Sequence, residues 1–245
     1  MSRSFVNIIK KYPILAKLVV SDKYWATQVS KSYPHSIYSL PVPYFPPIRD
    51  AIHEYAIIEN VEKKRFEKRL RSLYYEENIY SYQCVEEFDT GVVYSILSPS
   101  KKDSTLRIIL KTKNIVRPNF MTTYSYSGKS QYIFLAYNNA AINNLKAKIS
   151  EITDYLSLSI ISNNVSSEKV YNQEQCFFNK PLKILGFDEK QREIVKQLML
   201  GISLTPDKIR GRNVIRIIEL LSRRSIREAI EETLHILFKI ISHQI

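Results

Sequence analysis

The sequence predicts an α+β protein in two parts: an N-terminal ferredoxin-like α/β sandwich domain over residues 1–162 and a C-terminal helical helix-turn-helix domain over 181–245. Three observations lead there. Short β patterns from Tyr80 onward run into a strand-helix-strand pattern at 131–162. From Phe187 to the end only helical periods occur, with two capping signals and a dense basic run. Between them, 163–180 lacks periodicity and is rich in Asn, Ser and Gln, so it reads as a linker.

In chain order, SFVNIIKKYPILAKLVV near the start is broken by lysines and by Pro13, so it is too short to span a membrane and reads as a short packed helix. The proline cluster YPHSIYSLPVPYFPP at 33–47 removes backbone donors and forces an extended arm or an edge strand. Residues 49–75 carry a helical pattern that offers Ile52, Tyr55, Ala56, Val61, Phe66, Leu70 and Leu73 for burial. Lys63-Lys64-Arg65 and Lys68-Arg69 read as its solvated face, which the interleaved Glu59, Glu62 and Glu67 favour over the alternative of a second nucleic-acid contact. YSYQCVEEF, VVYSILS and LRIILKTK within 80–113 read as three antiparallel strands. QYIFLAY at 131–137 is a further strand. Then 138–153 presents Ile142, Leu145, Ile149 and Ile152 on one helical face, and LSLSIIS at 156–162 closes the unit.

In the C-terminal part, Asp188 and Gln191 form a capping pair, and Ile194, Val195, Leu198 and Met199 line one face of the helix they start. Gly201 ends that helix, and Thr205-Pro206 marks a new start. Val214, Ile217, Ile218 and Leu221 share one side of a second helix. Ser222-Arg223-Arg224 is the turn, and Ser225 with Glu228 has the capping-box form that opens a third helix. Two helices across a short turn place the second one's N-terminus at base edges. On that geometry Arg223, Arg224, Ser225, Arg227 and Glu228 are the base-reading candidates, and Lys208, Arg210, Arg212 and Arg216 the phosphate contacts.

Gln191-Arg192-Glu193, Gly201, Pro206, Leu220-Leu221-Ser222 and Ser225 with its following helix resemble the archaeal bacterio-opsin-activator type of helix-turn-helix transcription regulator. The resemblance covers the last quarter of the chain, and it departs in carrying Ile217 and Ile218 where a small residue is usual. It implies sequence-specific binding of duplex DNA and an upstream domain for sensing or assembly, without naming an effector. Ile236, Ile240 and Ile245 add apolar surface to the last helix beyond its core stripe, which points to a homodimer.

The formal net charge of +12 favours a polyanionic partner. Cys84 and Cys176 are far apart and do not make a disulfide framework, so a reducing, cytoplasmic setting is expected and no membrane association. No cofactor or metal is expected, since His35, His53, His235 and His243 show no ligand spacing. Gly128-Lys129-Ser130 lacks the earlier glycine of a phosphate loop and reads as a hairpin turn. Two alternatives remain. Tyr124, Tyr126 and Tyr132 beside Lys129 would make a stacking platform for RNA or single strands. Glu86, Glu87 and Asp89 with Lys111 and Lys113 would be the parts of a metal-dependent nuclease, although the acid expected two residues before the lysine is missing.

Overall fold

A computed structural model describes residues 3–33, 35–41, 51–99, 104–118, 120–153 and 155–199. They form a large antiparallel sheet of nine strands with helices on both faces. The first run of elements is β1 (Ile14–Ser21), α2 (Trp25–Ser32), β2 (Ile37–Pro41), β3 (Ala51–Glu59), α3 (Lys63–Tyr75) and β4 (Ser81–Phe88), preceded by α1 (Arg3–Lys11). The second repeats the succession: β5 (Gly91–Pro99), α4 (Thr105–Lys111), the short β6 (Ile115–Val116), β7 (Thr123–Tyr126), β8 (Lys129–Ala136), α5 (Asn139–Ser150) and β9 (Tyr155–Ser162). Three helices follow: α6 (Ser167–Tyr171), α7 (Lys180–Ile184) and α8 (Glu189–Met199).

The strand order is β4-β5-β3-β2-β7-β8-β1-β9, with β6 also on β8. Each run therefore gives its first strand to the other's half of the sheet: β5 lies between β3 and β4, and β1 between β8 and β9. The halves meet where β2 pairs with β7, Tyr38 opposite Tyr124 with ring centroids 5.0 Å apart. This arrangement is pseudo-two-fold, with α2 matching α4 and α3 matching α5.

This topology overturns the ferredoxin-like sandwich expected over 1–162. The strands are continuous across one wide sheet, and the middle strand of each half comes from the other run. Periodicity reports that a strand exists and which face it buries. It does not report partners fifty or more residues away. The separate helical domain expected over 181–245 is corrected as well: Leu182, Ile184, Leu185 and Val195 of its first part share one core cluster with Leu15, Ile133 and Leu135 of the sheet. The rest of the expected helix-turn-helix, residues 200–245 with Lys208, Arg210, Arg212, Arg216, Arg223, Arg224, Ser225, Arg227 and Glu228, lies outside the described residues.

Four element expectations also change. Of the N-terminal stretch expected as a short packed helix, only α1 is helical, and ILAKLVV forms β1. Residues 51–59, expected in a helix, form β3, because Tyr55 and Ile57 bury one face and Ala56 and Ile58 the other, and an apolar run of that kind satisfies either period. LRIILK, expected as a strand, is α4: the Ser104 side chain accepts from the Arg107 amide at 3.4 Å, while Leu106 and Ile109 are buried one turn apart. The segment expected to be an arm or edge contains β2, a central strand closed by Pro41. Strands β4, β5, β8 and β9 and helix α5 lie where the periodicity puts them.

The helical face holds two clusters. Phe66, Leu70 and Leu73 of α3 and Trp25 and Val29 of α2 pack on Ala56, Ile58, Val92, Tyr94 and Ile96. Ile142, Leu145 and Ile149 of α5 and Ile109 of α4 pack on Ala16, Leu18, Tyr132 and Phe134. The opposite face is covered by residues 163–199, the last part of the described chain. Residues 163–180, expected as a linker, contain α6 and bury Val170, Cys176, Phe177 and Phe178 against Leu15, Ile133 and Leu135. There is no room for a side chain at Gly91, where a Cβ would meet Ile184 Cγ2 and the Ile58 carbonyl oxygen, each at 2.6 Å. Gly128 and Ser127, at φ 75° and 49°, form the tight turn between β7 and β8. After that layer, α8 starts with the expected reciprocal cap: the Asp188 amide donates to Gln191 Oε1 at 2.9 Å and the Gln191 amide to Asp188 Oδ1 at 2.8 Å.

Because Phe178 is only 2% exposed and touches Phe120 and Tyr171, Phe178→Ala is expected to cost about 3–5 kcal/mol in urea unfolding followed by far-UV circular dichroism. A loss below about 0.5 kcal/mol would mean that 163–180 is not part of the core.

Candidate functional site

The crossing of the two runs opens a cleft of about 530 Å³ on the helical face. Its walls are matching points of the two runs: Asp22, Tyr24 and Trp25, which lead from β1 into α2, and Ser104, Thr105 and Leu106, which lead from β5 into α4. Tyr132 of β8 also lines it, and Lys23 and Glu151 are exposed residues at its edge.

Beside the cleft is a buried polar network. Asp22, 8% exposed, ties three elements together. Its Oδ1 accepts from Thr27 Oγ1 at 2.7 Å and from the Tyr24 amide at 3.2 Å. Its Oδ2 accepts from Thr105 Oγ1 at 2.6 Å and from the Tyr132 hydroxyl at 3.4 Å. So the start of α2, the start of α4 and β8 converge on one carboxylate. Hydroxyls of Thr27, Ser130 and Ser125 continue the chain, with both oxygen–oxygen distances 2.6 Å.

Glu54 of β3 forms the second centre and is fully buried. Trp25 Nε1 donates to its Oε2 at 2.8 Å, and the Tyr24 hydroxyl lies 2.8 Å from Oε1. Burial pushes this carboxyl up to about 7, against the opposing pull of the Trp25 and Tyr24 hydrogen bonds and the positive charge of Arg117. Arg117 is itself buried, donates from Nη2 to Thr123 Oγ1 at 3.2 Å, and is lowered to about 10 by desolvation, which Tyr132, Tyr24 and Glu54 partly offset. Its Nε has no hydrogen-bond partner among the described residues. Burial raises the Tyr24 and Tyr132 hydroxyls further above their ordinary range, so both are donors at neutral pH.

The cleft's Thr105, Tyr24 and Tyr132 hydroxyls each donate to a buried carboxylate, which fixes their orientation in the wall. His53 alternates with Glu54 along β3 and so faces the opposite side of the sheet, where its Nε2 lies 2.7 Å from Ser95 Oγ. Burial lowers its imidazole.

The nuclease residues do not assemble. Glu87 pairs with Lys63, while Lys111 ends α4, which packs against α5 and β6. Among the described residues no group of three or more His, Cys, Asp and Glu side chains is placed to hold a metal ion. The tyrosine platform divides. Tyr124 and Tyr126 stack with centroids 6.4 Å apart, whereas Tyr132 is buried on the other face. Gly128-Lys129-Ser130 forms the hairpin between β7 and β8.

Sequence reasoning missed Asp22, Tyr24, Trp25, Glu54 and Arg117, and assigned Tyr132 to a stacking platform with Tyr124 and Tyr126. One signal was present: Glu54 is a lone acid inside the apolar run that makes β3, and the chain's one tryptophan follows Asp22-Lys23-Tyr24 at a strand end. No family model matches the chain, and no curated protein matches it.

Folding carries the Glu54 carboxyl from its ordinary 4.5 to about 7, so between those values the folded state holds a proton that the unfolded chain has lost. The stabilisation is complete below about pH 4.5 and is lost as pH rises through about 7, a change on the order of 3 kcal/mol. Glu54→Gln keeps an acceptor for Trp25 and Tyr24 but cannot ionise. Urea titrations from pH 5 to pH 8 should show wild type losing stability relative to Glu54→Gln by 1 kcal/mol or more, on the order expected for a shift of this size. His53 is common to both proteins and cancels. Parallel profiles would refute the assignment.

Proposed function

We propose that this chain is a duplex-DNA-binding regulator of transcription, with the basic run at 208–227 as its DNA contact and the wide sheet as a sensing or assembly part. The observation that carries the reading is charge: from Lys208 to Arg227 the chain has seven Lys and Arg residues and only Glu219 against them, in a protein of formal net charge +12. Helix α8, capped by Asp188 and Gln191, precedes that run in the sequence. Arg223, Arg224, Ser225, Arg227 and Glu228 are assigned to base edges, and Lys208, Arg210, Arg212 and Arg216 to phosphates.

The cleft between the runs supports the sensing half of the reading. It is concave and polar, and it lies at the junction of both halves, where a small polar molecule touches α2 and α4 at once. Among the described residues both cysteines are free thiols, and no helix is long and apolar enough to cross a membrane. A cytoplasmic homodimer is part of the proposal, since paired contacts read two half-sites about one helical turn apart.

Fluorescence anisotropy on duplex, single-stranded and RNA probes of equal length tests this. With about six phosphates neutralised per protomer, log K for duplex should fall against log salt with a slope of roughly −5. Arg212→Ala should weaken preferred and random duplex alike and make the slope shallower by about one unit. Arg227→Ala should cost on the order of 1–3 kcal/mol on the preferred site and little on random duplex. A slope near zero, or a preference for single strands, would remove the reading.

A further inference from the structure

We propose that the outer face of α3 is a second docking surface for the sugar–phosphate backbone of duplex DNA, an inference that rests on the DNA-binding reading and extends it to a different part of the chain. Helix α3 buries Phe66, Leu70 and Leu73 at i, i+4 and i+7. The opposite stripe is therefore Lys64, Lys68, Arg71 and Tyr75, all exposed, again spaced i, i+4, i+7 and i+11.

In sequence, the glutamates interleaved along this helix make the stripe look like an ordinary solvated face with its charges compensated. The structure sorts those charges. Glu67 turns to the inner flank and accepts from the Tyr94 hydroxyl at 3.1 Å. Glu59 pairs with Lys180 at 2.9 Å, Glu87 pairs with Lys63, and Glu76 lies 3.4 Å from Arg69 while accepting from Ser72 at 2.7 Å. These carboxylates are drawn to the flanks and the end of the helix, where each has a partner. Among the described residues no carboxylate lies within salt-bridge distance of Lys64, Lys68 or Arg71. Arg65, beside the stripe, lies over the Tyr33 ring, its guanidinium carbon 5.0 Å from the centroid.

What remains outward is a straight row of three uncompensated cations, continued by a hydroxyl. At about 1.5 Å per residue the Cα atoms of Lys64 and Arg71 are about 10 Å apart along the axis, the axial advance of about three phosphates on one DNA strand. Tyr75 is 76% exposed and ends the row with a phenol that can donate to a phosphate oxygen, its ring 5.7 Å from that of the exposed Tyr74. The row presents two lysines, an arginine and a phenol. It fits a polyanionic backbone, met without regard to sequence.

The test uses the full chain with Lys64, Lys68 and Arg71 all changed to Gln, which keeps helix-forming side chains and leaves the buried face untouched. Anisotropy with one 20-base-pair duplex over a range of salt concentrations should show binding weakened on the order of 100-fold near 0.1 M salt and a slope shallower by about two to three units. Discrimination between preferred and random duplex should be unchanged, and the melting temperature should stay within about 2 °C of wild type. Equal affinity and equal slope for the variant and wild type would overturn the α3 proposal while leaving the DNA-binding reading standing. So would a loss seen only with RNA or single-stranded probes, because the partner would then be of another class. If wild type itself fails to bind duplex, the parent reading falls and the α3 proposal falls with it. Arg212→Gln, made alongside, reports on the C-terminal contact separately.

Discussion

The exchange of first strands between the two runs is the constraint from which the rest of this structure follows. Strand β1 is the middle of one half, with Leu15, Ala16, Leu18 and Val20 fully buried, and β5 is the middle of the other, with Tyr94 and Ile96 fully buried. In each half the strand that joins the outermost strand to the rest of the sheet comes from the other run. Removing either strand would strip hydrogen-bond partners from two neighbours and leave the helices above it without a floor. The exchange also places the site. After leaving β1 and β5 the chain must cross the middle of the sheet to reach β2 and β7, and it does so through α2 and α4. The residues that begin those crossings, Asp22 to Trp25 and Ser104 to Leu106, consequently face each other, and the cleft is the space between them.

Such a crossing brings polar backbone and side chains into the interior, and the buried acids are how they are satisfied. Asp22 accepts from groups on α2, α4 and β8 and so fixes the relative position of the two crossings. Glu54 holds the Trp25 indole and the Tyr24 phenol in place, with Arg117 as the positive charge in the same neighbourhood. A buried network of this kind is weak evidence for stability, because desolvation opposes each charge. Its consequence is geometric. It allows one arrangement of the aromatic walls, and it places a carboxyl that titrates near neutral pH beside a cleft open to small molecules.

How much of this was legible in the sequence depended on the range of each signal. Local signals held. The Asp188 and Gln191 cap, the hairpin at Gly128, helix α5 with Ile142, Leu145 and Ile149 inward, and strands β4, β5, β8 and β9 were readable because each is decided within about a dozen residues. Signals with two solutions failed: the apolar run of β3 and the LRIILK of α4 satisfy both periods, and tertiary context chose between them. Pairing was not legible at all. The partners of β1 lie more than a hundred residues away, and nothing in ILAKLVVS indicates an exchanged position. The cleft followed pairing into obscurity, since Asp22, Glu54 and Tyr132 come from three separate segments. Low hydrophobic periodicity over 163–180 likewise concealed a layer built on aromatic contacts of Phe120, Tyr171, Phe177 and Phe178.

The central claim is that strand exchange makes the two halves one cooperative unit, and native-state amide hydrogen exchange tests it most directly. Amides in the middle of β1 and of β5, followed at several sub-denaturing urea concentrations, should exchange through the same global opening. Their free energies should agree within about 1 kcal/mol, with a common urea dependence, and amides of α3 and α5 should converge on the same line as urea rises. If instead one half, with its inner strand, exchanged through an opening several kcal/mol cheaper and with a smaller urea dependence, each half would be closing on its own, and the exchanged-strand account would be contradicted.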